Sequence, residues 1–243
     1  MDFKSVYDRV KNEPVITSEI KELFQKFLKF NEYDVQDLMF KLCKKGKLDM
    51  VKYFCEIGVR PTSKIFHFYV YESDYYMCEF LLKHGAVVNS NSVSFIAVTG
   101  YIDFLKLFIE HGLVFNEFNL HMALGKAILH KQFDMVDELL KSGADPNISL
   151  SLHYACTSDQ DYIDKLIIYG ADINLRNKNG KTPLMIASMC LKLHHVKKLL
   201  DWGANRYDVD NSQRTAADLC GKDFLTSYDE EMFNKISELL RIC

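Results

Sequence analysis

Several features that would assign this 243-residue chain to a common functional class are missing from its sequence. It has no uninterrupted apolar run of about 18 residues and no apolar N-terminal signal segment, so we expect neither a membrane span nor a secretory leader. The phosphate-binding GxxxxGK[ST] loop, the GxGxxG turn after a strand and the HExxH motif are also missing. A basic excess is lacking too, because the net charge is −3. These absences argue against enzymes, membrane proteins and nucleic-acid-binding proteins.

The seven cysteines are odd in number and have no CxxC spacing, so they predict neither a disulfide framework nor a zinc site. We expect them to act as small apolar side chains in a reducing, cytoplasmic compartment, with no metal or other cofactor bound. Lysine outnumbers arginine, and phenylalanine and tyrosine are frequent. That bias is typical of an AT-rich genome such as that of a virus, for which the compartment would be the host cytosol.

Six glycines recur at nearly constant spacing along the chain. They are Gly58, Gly85, Gly112, Gly143, Gly170 and Gly203. The intervals between them are 27 (85−58), 27 (112−85), 31 (143−112), 27 (170−143) and 33 (203−170) residues. Self-similarity at this period is typical of a protein built from stacked repeats.

Each glycine follows a short hydrophobic pattern with helical spacing. Apolar residues stand seven, four and three positions before it, as Val51, Phe54 and Cys55 do in the first repeat, and these positions share one helix face. Aspartate, which suits a helix start, stands nine positions before four of the glycines, and glycine suits a left-handed helix end. These aspartates are Asp49, Asp103, Asp134 and Asp161. The pattern predicts one short amphipathic helix per repeat, capped at both ends.

The same pattern predicts a further unit at each end of the chain. On the N-terminal side the matching residues are Phe24, Phe27, Leu28 and Asn31. On the C-terminal side they are Ile236, Leu239, Leu240 and Cys243. We therefore expect about eight helical hairpins, with the two terminal ones acting as caps.

A second helix is predicted ahead of each capped one, and its sequence carries a family resemblance. Residues 179–187 read NGKTPLMIA, in which Thr182 is a good helix N-cap and Pro183 suits the first helical position. Together with LHYAC at 152–156 and GADIN at 170–174, this segment resembles the ankyrin repeat, whose pattern includes T-P-L-H-x-A. The resemblance covers roughly residues 37–243 and is strongest from residue 141 to residue 220.

The resemblance implies an all-α fold, an ankyrin-repeat solenoid of about eight helical hairpins. Three of the first four repeats have 27 residues, against ~33 in the family, and they lack the segment that forms a projecting β-hairpin finger. Only the connections at 172–182 and 205–215 have full length, so we expect short β-hairpin fingers only in the C-terminal third. We expect a single continuous domain, with N-terminal capping helices at 1–36, ankyrin repeats at 37–205 and a C-terminal capping repeat at 206–243.

The resemblance also implies a binding surface, because ankyrin arrays usually meet their partners on the concave face. That face is lined by the ends of the first helices and by the fingers. The matching helix-end residues are Lys44, Lys45, Tyr71, Glu72, Val98, Thr99, Leu129, His130, Thr157 and Met189. The finger candidates are Arg176, Lys178, Asn179, Lys181, Tyr207, Asp208 and Gln213. The strip has an apolar centre and a basic N-terminal end, which suits a protein interface.

Two surface features allow more than one interpretation. Four lysines within residues 41–47 form either a solvated helix face, a patch for an acidic partner or a nuclear-localisation signal. Tyr71, Tyr75 and Tyr76 fall near the turn between two helices, where exposed tyrosines favour partner contact. Other aromatic residues of the same run must face the core.

The residue combinations that suggest chemistry all have a structural alternative. His153 and Cys156 have helical spacing for a thiolate–imidazole pair, but the resemblance implies that His153 makes structural hydrogen bonds between repeats. Weak candidates for a metal or an acid–base site are His84 with His111, His194 with His195, and Asp159 with Asp161. We therefore expect no enzymatic activity.

The sequence predicts a non-catalytic scaffold that binds a partner protein on its concave face. We expect a monomer that binds no nucleic acid, membrane or small-molecule substrate. The alternative is a host-directed viral or bacterial adaptor or inhibitor that recruits a host protein, with ubiquitin ligation as one destination. Residues 220–243 lack the Leu-Pro opening of an F-box-like segment and resemble a capping helix. Asn174 resembles the ankyrin asparagines that an asparaginyl hydroxylase modifies.

Overall fold

The computed structural model describes residues 3–13, 16–27, 32–112, 117–221 and 227–241. In these ranges the chain forms sixteen α-helices and no β-strand. None of these helices combines the length and the apolar character needed to cross a membrane. The cap residues Leu28, Asn31 and Cys243 lie outside the described ranges.

The helices alternate along the chain as first and second members of successive pairs. The first helices are α1 (Phe3–Val10), α3 (Glu32–Lys44), α5 (Ser63–Tyr71), α7 (Ser90–Thr99), α9 (Glu117–Leu129), α11 (Ser151–Thr157), α13 (Pro183–Met189) and α15 (Ala216–Leu219). The second helices are α2 (Ser18–Phe27), α4 (Leu48–Glu56), α6 (Tyr75–Lys83), α8 (Ile102–Glu110), α10 (Phe133–Lys141), α12 (Ile163–Ile168), α14 (Leu193–Asp201) and α16 (Ser227–Arg241). The described residues therefore hold eight successive pairs, as the glycine period predicted.

The chain divides into two compact units. Unit 1 comprises Met1–Ser92 and Asp103–Leu113, and unit 2 comprises Val93–Ile102 and Val114–Cys243. In unit 1, α3 packs against α4 and α5, and α5 packs against α6. In unit 2, the first helices α9, α11, α13 and α15 stack in chain order, and each packs against the second helix that follows it. Within each unit, neighbouring repeats therefore meet through their helices.

The predicted hydrophobic stripe lies in the core of both units. The residues seven and four positions before each of the six glycines are buried, as Val51 and Phe54 are in the first of these repeats. The third position of the stripe varies. Cys55 and Leu140 are buried there, whereas Ile109 is 41% exposed. The third position therefore lies at the edge of the buried helix face.

The period glycines have the left-handed conformation at helix ends, as predicted. Gly85 has φ +83°, and the N–H of Ala86 donates to the carbonyl of Leu81 at 3.0 Å. The equivalent bond follows Gly58, Gly143, Gly170 and Gly203. This arrangement is a Schellman motif, which satisfies a carbonyl that the helix end leaves free. Glycine suits it because it has no Cβ to clash at positive φ.

The predicted aspartate caps are wrong for Asp49 and Asp134, whereas Asp161 lies before α12 and its carboxylate accepts from the Ile163 N–H at 3.4 Å. Asp49 and Asp134 lie inside α4 and α10, which begin after the N-cap residues Lys47 and Gln132, and neither N-cap side chain makes a capping bond. The tight turn between paired helices starts the helix earlier than the pattern indicated. The aspartates instead place negative charge in the first turn, at the positive end of the helix dipole. Side-chain caps are found at Thr62, Asp74, Thr182 and Thr215.

The prediction of β-hairpin fingers in the C-terminal third is also wrong. Both full-length connections fold as hydrogen-bonded turns. In the first, the Asn177 N–H donates to the Lys181 carbonyl at 3.0 Å and the Gly180 N–H donates to the Asn177 carbonyl at 2.8 Å. In the second, the Asp210 N–H donates to the Arg214 carbonyl at 2.9 Å. A single backbone pair across each turn is too short for a strand ladder, and no strand forms in the described residues of these connections.

The connection after each glycine distinguishes short repeats from long ones. Thr62 follows Gly58 by four residues (62−58), and its side chain caps α5 directly. Thr182 follows Gly170 by twelve residues (182−170) and caps α13, and the additional residues form the turn at 177–181. The 27-residue intervals that begin at Gly58 and Gly85 therefore proceed straight from the glycine to the next helix, whereas the one that begins at Gly143 reaches α11 only at Ser151.

A second series of left-handed residues lies in the turns between the first and second helices. Its glycine members are Gly46, Gly100 and Gly221, and its other members are Ser73, Lys131 and Leu191. The sequence analysis missed this series because only half of these positions are glycine.

Candidate functional site

The predicted helix-end residues lie at or beside the C-terminal ends of the first helices. Lys44 ends α3, Tyr71 ends α5, Thr99 ends α7, Leu129 ends α9 and Met189 ends α13. The first two belong to unit 1 and the other three to unit 2. Their position is as expected, and their role in partner binding stays a prediction.

In unit 1 the helix-end residues face solvent. Tyr71 is 63% exposed, and Lys44, Lys45 and Glu72 are exposed as well. The Lys44 ammonium lies 4.8 Å from the centroid of the Phe40 ring on the same helix. This end of the strip therefore presents positive charge beside aromatic rings.

Tyr75 and Tyr76 begin the second helix α6 and so lie outside the strip of first-helix ends. The Tyr75 ring is half-buried against Phe104, with ring centroids 5.6 Å apart. Tyr76 is 82% exposed and meets Tyr75 edge-on. Of these two tyrosines, Tyr76 has the side chain that is available for contact.

Three predicted residues of unit 2 are engaged within the fold. The Gln132 side-chain amide donates to the Val98 carbonyl at 2.9 Å, and the Thr99 hydroxyl donates to a carbonyl of its own helix at 2.9 Å. The Met189 sulfur accepts a hydrogen bond from Lys181 Nζ at 3.2 Å. Val98, Thr99 and Met189 are all half-buried and offer little free surface.

Exposed apolar side chains on α9 and α11 extend the site in unit 2. Leu129 is 50% exposed beside the exposed His130, and Met122, two turns earlier on α9, is 41% exposed. On the neighbouring helix Tyr154 is 38% exposed. Its ring packs over Gly125, where an added Cβ would stand 3.4 Å from the ring. We call Met122, Leu129 and Tyr154 the apolar patch.

Met122 and Tyr154 were not predicted from the sequence, because apolar residues at helical spacing are more often core residues. The signal that identifies them is a relation between two helices. Gly125 on α9 leaves room for Tyr154 on α11, and that contact is visible only once the helices are stacked.

Arg176 and Lys178, expected on a finger, instead connect successive turns. Arg176 Nε donates to the Gly180 carbonyl at 3.2 Å, and its guanidinium also donates to the Val209 carbonyl. The Asn211 side-chain amide donates to the Lys178 carbonyl at 3.2 Å. The Lys178 side chain itself is exposed. These contacts give both residues a structural role, and their part in binding stays a prediction.

Asn174, the candidate hydroxylation site, joins two repeats. Its Oδ1 accepts from the Asn205 N–H at 2.9 Å, and its own N–H donates to the Asp172 carboxylate at 2.9 Å. Asn147 has the same arrangement one repeat earlier, with Oδ1 accepting from the Asp172 N–H at 2.7 Å. Hydroxylation of Asn174 stays a prediction, and a modifying enzyme would meet a half-buried side chain.

His153 and Cys156 have structural surroundings. The His153 Nε2–H donates to the Lys181 carbonyl of the next repeat at 2.9 Å, which is the role that the resemblance implied. Burial lowers the pKa of the His153 imidazole and raises the pKa of the Cys156 thiol. A nucleophilic cysteine needs a lowered pKa, so the shift of Cys156 opposes catalysis.

The other candidate pairs are also held in local contacts. The His84 ring donates to the Phe80 carbonyl at 2.8 Å, and the His194 ring meets the Asp161 carboxylate at 3.0 Å. Asp159 pairs with two lysines. Among the residues that the structure describes, no three metal-binding side chains are grouped to hold an ion.

Comparison with known proteins identifies the repeats. The family model for ankyrin repeats (3 copies) matches residues 152–223. Human 2-5A-dependent ribonuclease is 37% identical over 71 residues, which are 26% of this chain and 10% of the ribonuclease. Human ankyrin repeat and SOCS box protein 6 is 29% identical over 133 residues, which are 48% of this chain and 32% of that protein. The chain thus matches about a third or less of the length of these relatives.

These similarities concern the repeats themselves. The match to the ribonuclease covers a tenth of that protein and does not show catalytic activity in this chain. Ankyrin repeats are generally non-catalytic and imply a role in protein–protein interaction. The left-handed glycine period, the stacked helix pairs and the matched segment agree, and residues 152–223 are ankyrin repeats.

Proposed function

We propose that this protein is a non-catalytic scaffold that binds a partner protein through exposed side chains on its first helices. The apolar patch of unit 2 is the observation that supports this proposal. Met122, Leu129 and Tyr154 expose apolar atoms on two stacked helices whose other faces are buried. Grouped apolar surface of this kind is typical of interaction sites, and the exposed His130 beside it supplies a polar edge.

The patch lies on elements that are already ordered. Tyr154 packs over Gly125, and α9 and α13 both pack against α11. A surface carried by packed helices loses little conformational entropy when a partner binds, so more of the contact energy contributes to affinity. This argues for binding by a preformed surface rather than by a segment that folds on binding.

Two matched double variants test the proposal. Met122→Ala with Leu129→Ala removes most of the patch, and Ile168→Ala with Tyr169→Ala removes exposed apolar side chains at the C-terminal end of the second helix α12. Quantitative affinity-purification mass spectrometry from the natural host cell should show partners that the first variant loses and the second retains. Circular dichroism and melting curves must match the wild type for both. Retention of every partner by the first variant would overturn the proposal.

A host-directed adaptor or inhibitor is the second candidate function. The similarity to ankyrin repeat and SOCS box protein 6 favours it, because that protein's name joins ankyrin repeats to a SOCS box, which suggests ubiquitin-ligase recruitment. The last helix argues against a free recruiting segment. Ile236 and Leu240 of α16 are buried, and Arg206 donates to the Leu239 carbonyl at 3.1 Å. Affinity purification without any ubiquitin-ligase subunit would remove the adaptor function and leave the scaffold.

We also propose that the chain acts in the cytosol, in the host cell if the source is a virus, and that the scaffold acts as a monomer. Imaging of a fluorescent fusion tests the location, and light scattering on the purified chain tests the monomer. A secreted or membrane-bound fusion would contradict the proposed location.

A further inference from the structure

The exposed lysines of the basic cluster in unit 1 are not the same four that the sequence indicated within residues 41–47. Lys41 pairs with Asp37 at 3.0 Å, and Lys47 donates to a backbone carbonyl at 2.7 Å. Neighbouring groups therefore already engage these two ammonium groups. Lys44 and Lys45 are exposed, and neither forms an ion pair with any residue in the described ranges.

An aromatic ring brings a lysine from the next repeat into this cluster. The Nζ atoms of Lys44 and Lys64 lie 4.8 Å and 4.2 Å from the centroid of the Phe40 ring. The ring is fixed between α3 and α5, because it meets Phe68 edge-on with centroids 6.1 Å apart. Cation–π attraction stabilises ammonium groups in such positions. We call Lys44, Lys45, Lys64 and Phe40 the lysine–phenylalanine cluster.

The positive charge of this cluster is not neutralised locally. Lys64, like Lys44 and Lys45, is exposed, and it has no carboxylate partner among the described residues. Residues 38–71 contain seven lysines and arginines but two carboxylates, although the whole chain has a net charge of −3. Two ammonium groups near one ring repel each other, and an anionic group placed between them would relieve that repulsion.

We propose that the lysine–phenylalanine cluster is a docking site for an acidic segment of the partner protein, a short stretch rich in aspartate and glutamate. Carboxylates of such a segment would accept hydrogen bonds from the exposed ammonium groups of Lys44, Lys45 and Lys64. Tyr71 lies on the same face of α5 as Lys64, two turns further on, and would contact an apolar residue that follows the acidic ones. The proposal rests on the scaffold function and assigns the class of segment that unit 1 binds.

Single-stranded nucleic acid is the other polyanion that a basic surface attracts, and the environment of Phe40 argues against it. Binding of single strands uses aromatic rings on which bases stack. Lys44 and Lys64 already lie against the Phe40 ring, and Phe68 meets it edge-on, so a base would have to displace a cation. A carboxylate binds these cations without displacing them.

Fluorescence anisotropy with the full chain tests the proposal. The probes are a labelled oligoglutamate peptide, an oligoglutamine peptide of the same length and a single-stranded oligothymidylate. We expect the glutamate peptide to bind, the glutamine peptide not to bind and the oligonucleotide to bind more weakly. The affinity for the glutamate peptide should fall with added salt, because exposed charges are screened.

Variants locate the binding. Lys44→Gln with Lys64→Gln should weaken glutamate-peptide binding about tenfold. Lys83→Gln with Lys141→Gln removes the same charge from exposed lysines on α6 and α10 and should leave the affinity unchanged. Phe40→Leu keeps an apolar side chain but removes the ring that positions the lysines, so it should give an intermediate loss.

Failure of the glutamate peptide to bind would overturn the proposal. Equal weakening by the two lysine double variants, or tighter binding of the oligonucleotide, would overturn it as well. These outcomes leave the scaffold function standing, because that function is tested with the apolar patch of unit 2 and with partners captured from cells. If the scaffold function is wrong instead, the wild type and the apolar-patch variant will capture the same partners from cells. That result does not depend on whether the glutamate peptide binds.

Discussion

Both units bury a hydrophobic stripe, but the further contacts between neighbouring repeats differ, because aromatic ring pairs are prominent in unit 1 and ion pairs and hydrogen bonds are prominent in unit 2. In unit 1, Phe24 of α2 contacts Phe54 of α4 with ring centroids 4.4 Å apart. Phe66 of α5 contacts Phe108 of α8 at 5.4 Å. The Phe40 ring, between α3 and α5, belongs to the same class of contact.

In unit 2, lysines and aspartates on or just before successive second helices form a series of ion pairs, which we call the ion-pair ladder. Lys165 of α12 pairs with Asp137 of α10, and Lys198 of α14 pairs with Asp161 and Asp164. The turns add bonds from side chains to the backbone of the next repeat, such as those of His153 and Asn147 described above. The partners in these bonds and ion pairs are 23 (170−147) to 37 (198−161) residues apart, about one repeat.

Connection length explains the difference. A short repeat of unit 1 passes from its glycine directly to the cap of the next helix, as Gly58 does to Thr62. It has fewer free backbone groups to offer a neighbour, and the Ser63 carbonyl, which accepts from the Asn89 side chain at 3.5 Å, is one that remains. The longer connections of unit 2 carry exposed N–H and C=O groups, which asparagine and histidine side chains can bind. The contrast is one of degree, since Phe133 also stacks on Tyr162 in unit 2.

The largest effect is expected from Phe54→Ala in unit 1. The substitution removes the ring that packs on Phe24 and leaves a cavity, so the free energy of unfolding should fall by about 3–5 kcal/mol. Urea denaturation at low and high salt measures this loss, which should be the same in both because no charge is involved. A loss that shrinks with salt would break the comparison.

The next largest loss of stability is expected from His153→Ala, and the size of this loss should depend on pH. The variant leaves the Lys181 carbonyl without its donor, which costs about 1–3 kcal/mol. Burial lowers the pKa of His153 below its ordinary value of 6.5, so the unfolded chain takes up a proton at a higher pH than the folded chain. The stabilisation is therefore complete above pH 6.5 and is lost as the pH falls towards the folded pKa.

Denaturation of wild type and His153→Ala near neutral and at mildly acidic pH checks this. The two proteins should differ most at the higher pH and converge as the pH falls. The exposed His130→Ala is the matched control and should behave like the wild type. A difference that grows in acid would contradict the role of the neutral imidazole.

The ion-pair ladder of unit 2 should contribute less. Lys198→Met breaks the pairs with Asp161 and Asp164, which are partly exposed, so we expect a loss of at most about 1 kcal/mol. The loss should vanish at high salt, where such pairs are screened. Lys197→Met, an exposed lysine on the same helix, is the control and should change little at any salt concentration. Equal effects of the two variants would show that the ladder does not join the repeats.

The smallest expected effect is a gain in stability. It tests the left-handed turns between paired helices, which both units contain. Ser73 has φ +58° in an exposed turn. Ser73→Gly should stabilise the chain by about 0.5–1 kcal/mol, because glycine adopts this conformation without steric cost. Gly46→Ser makes the reverse change at the equivalent turn, where a Cβ has open space, and should lose a similar amount. Melting temperatures of both variants measure the effect, and a destabilised Ser73→Gly would contradict it.

The features that were predicted correctly depend on local sequence. Burial of residues seven and four positions before each glycine follows from helical spacing, and the left-handed glycines follow from the absence of a Cβ. The failed predictions depended on a second segment. Asp49 was expected to cap a helix, but the preceding turn moves the helix start to Leu48. The expected finger at 172–182 is a turn whose Asn179 carbonyl binds the Asn211 N–H of the next connection at 3.1 Å.

The residues of the candidate site also divide into those that local sequence predicts and those that depend on a second segment. Tyr71 and Leu129 were found from their position at helix ends, because one repeat suffices to place them. Tyr154 and Lys64 were not found, because their importance arises from Gly125 and Phe40 on the adjacent helix. The glycine period gives the spacing of the repeats but not the alignment of one helix against the next. Contacts between repeats depend on that alignment.

The asparagines of the two units also differ in the direction of their bonds along the chain. Asn89 in unit 1 caps its own helix through Ser92 and reaches back to the Ser63 carbonyl at 3.5 Å. Asn147 and Asn174 in unit 2 accept N–H groups that lie 25 and 31 residues further on. During synthesis, the partners of Asn89 are complete soon after it leaves the ribosome. The bonds that Asn147 and Asn174 accept instead cannot form until the following connection has been synthesised.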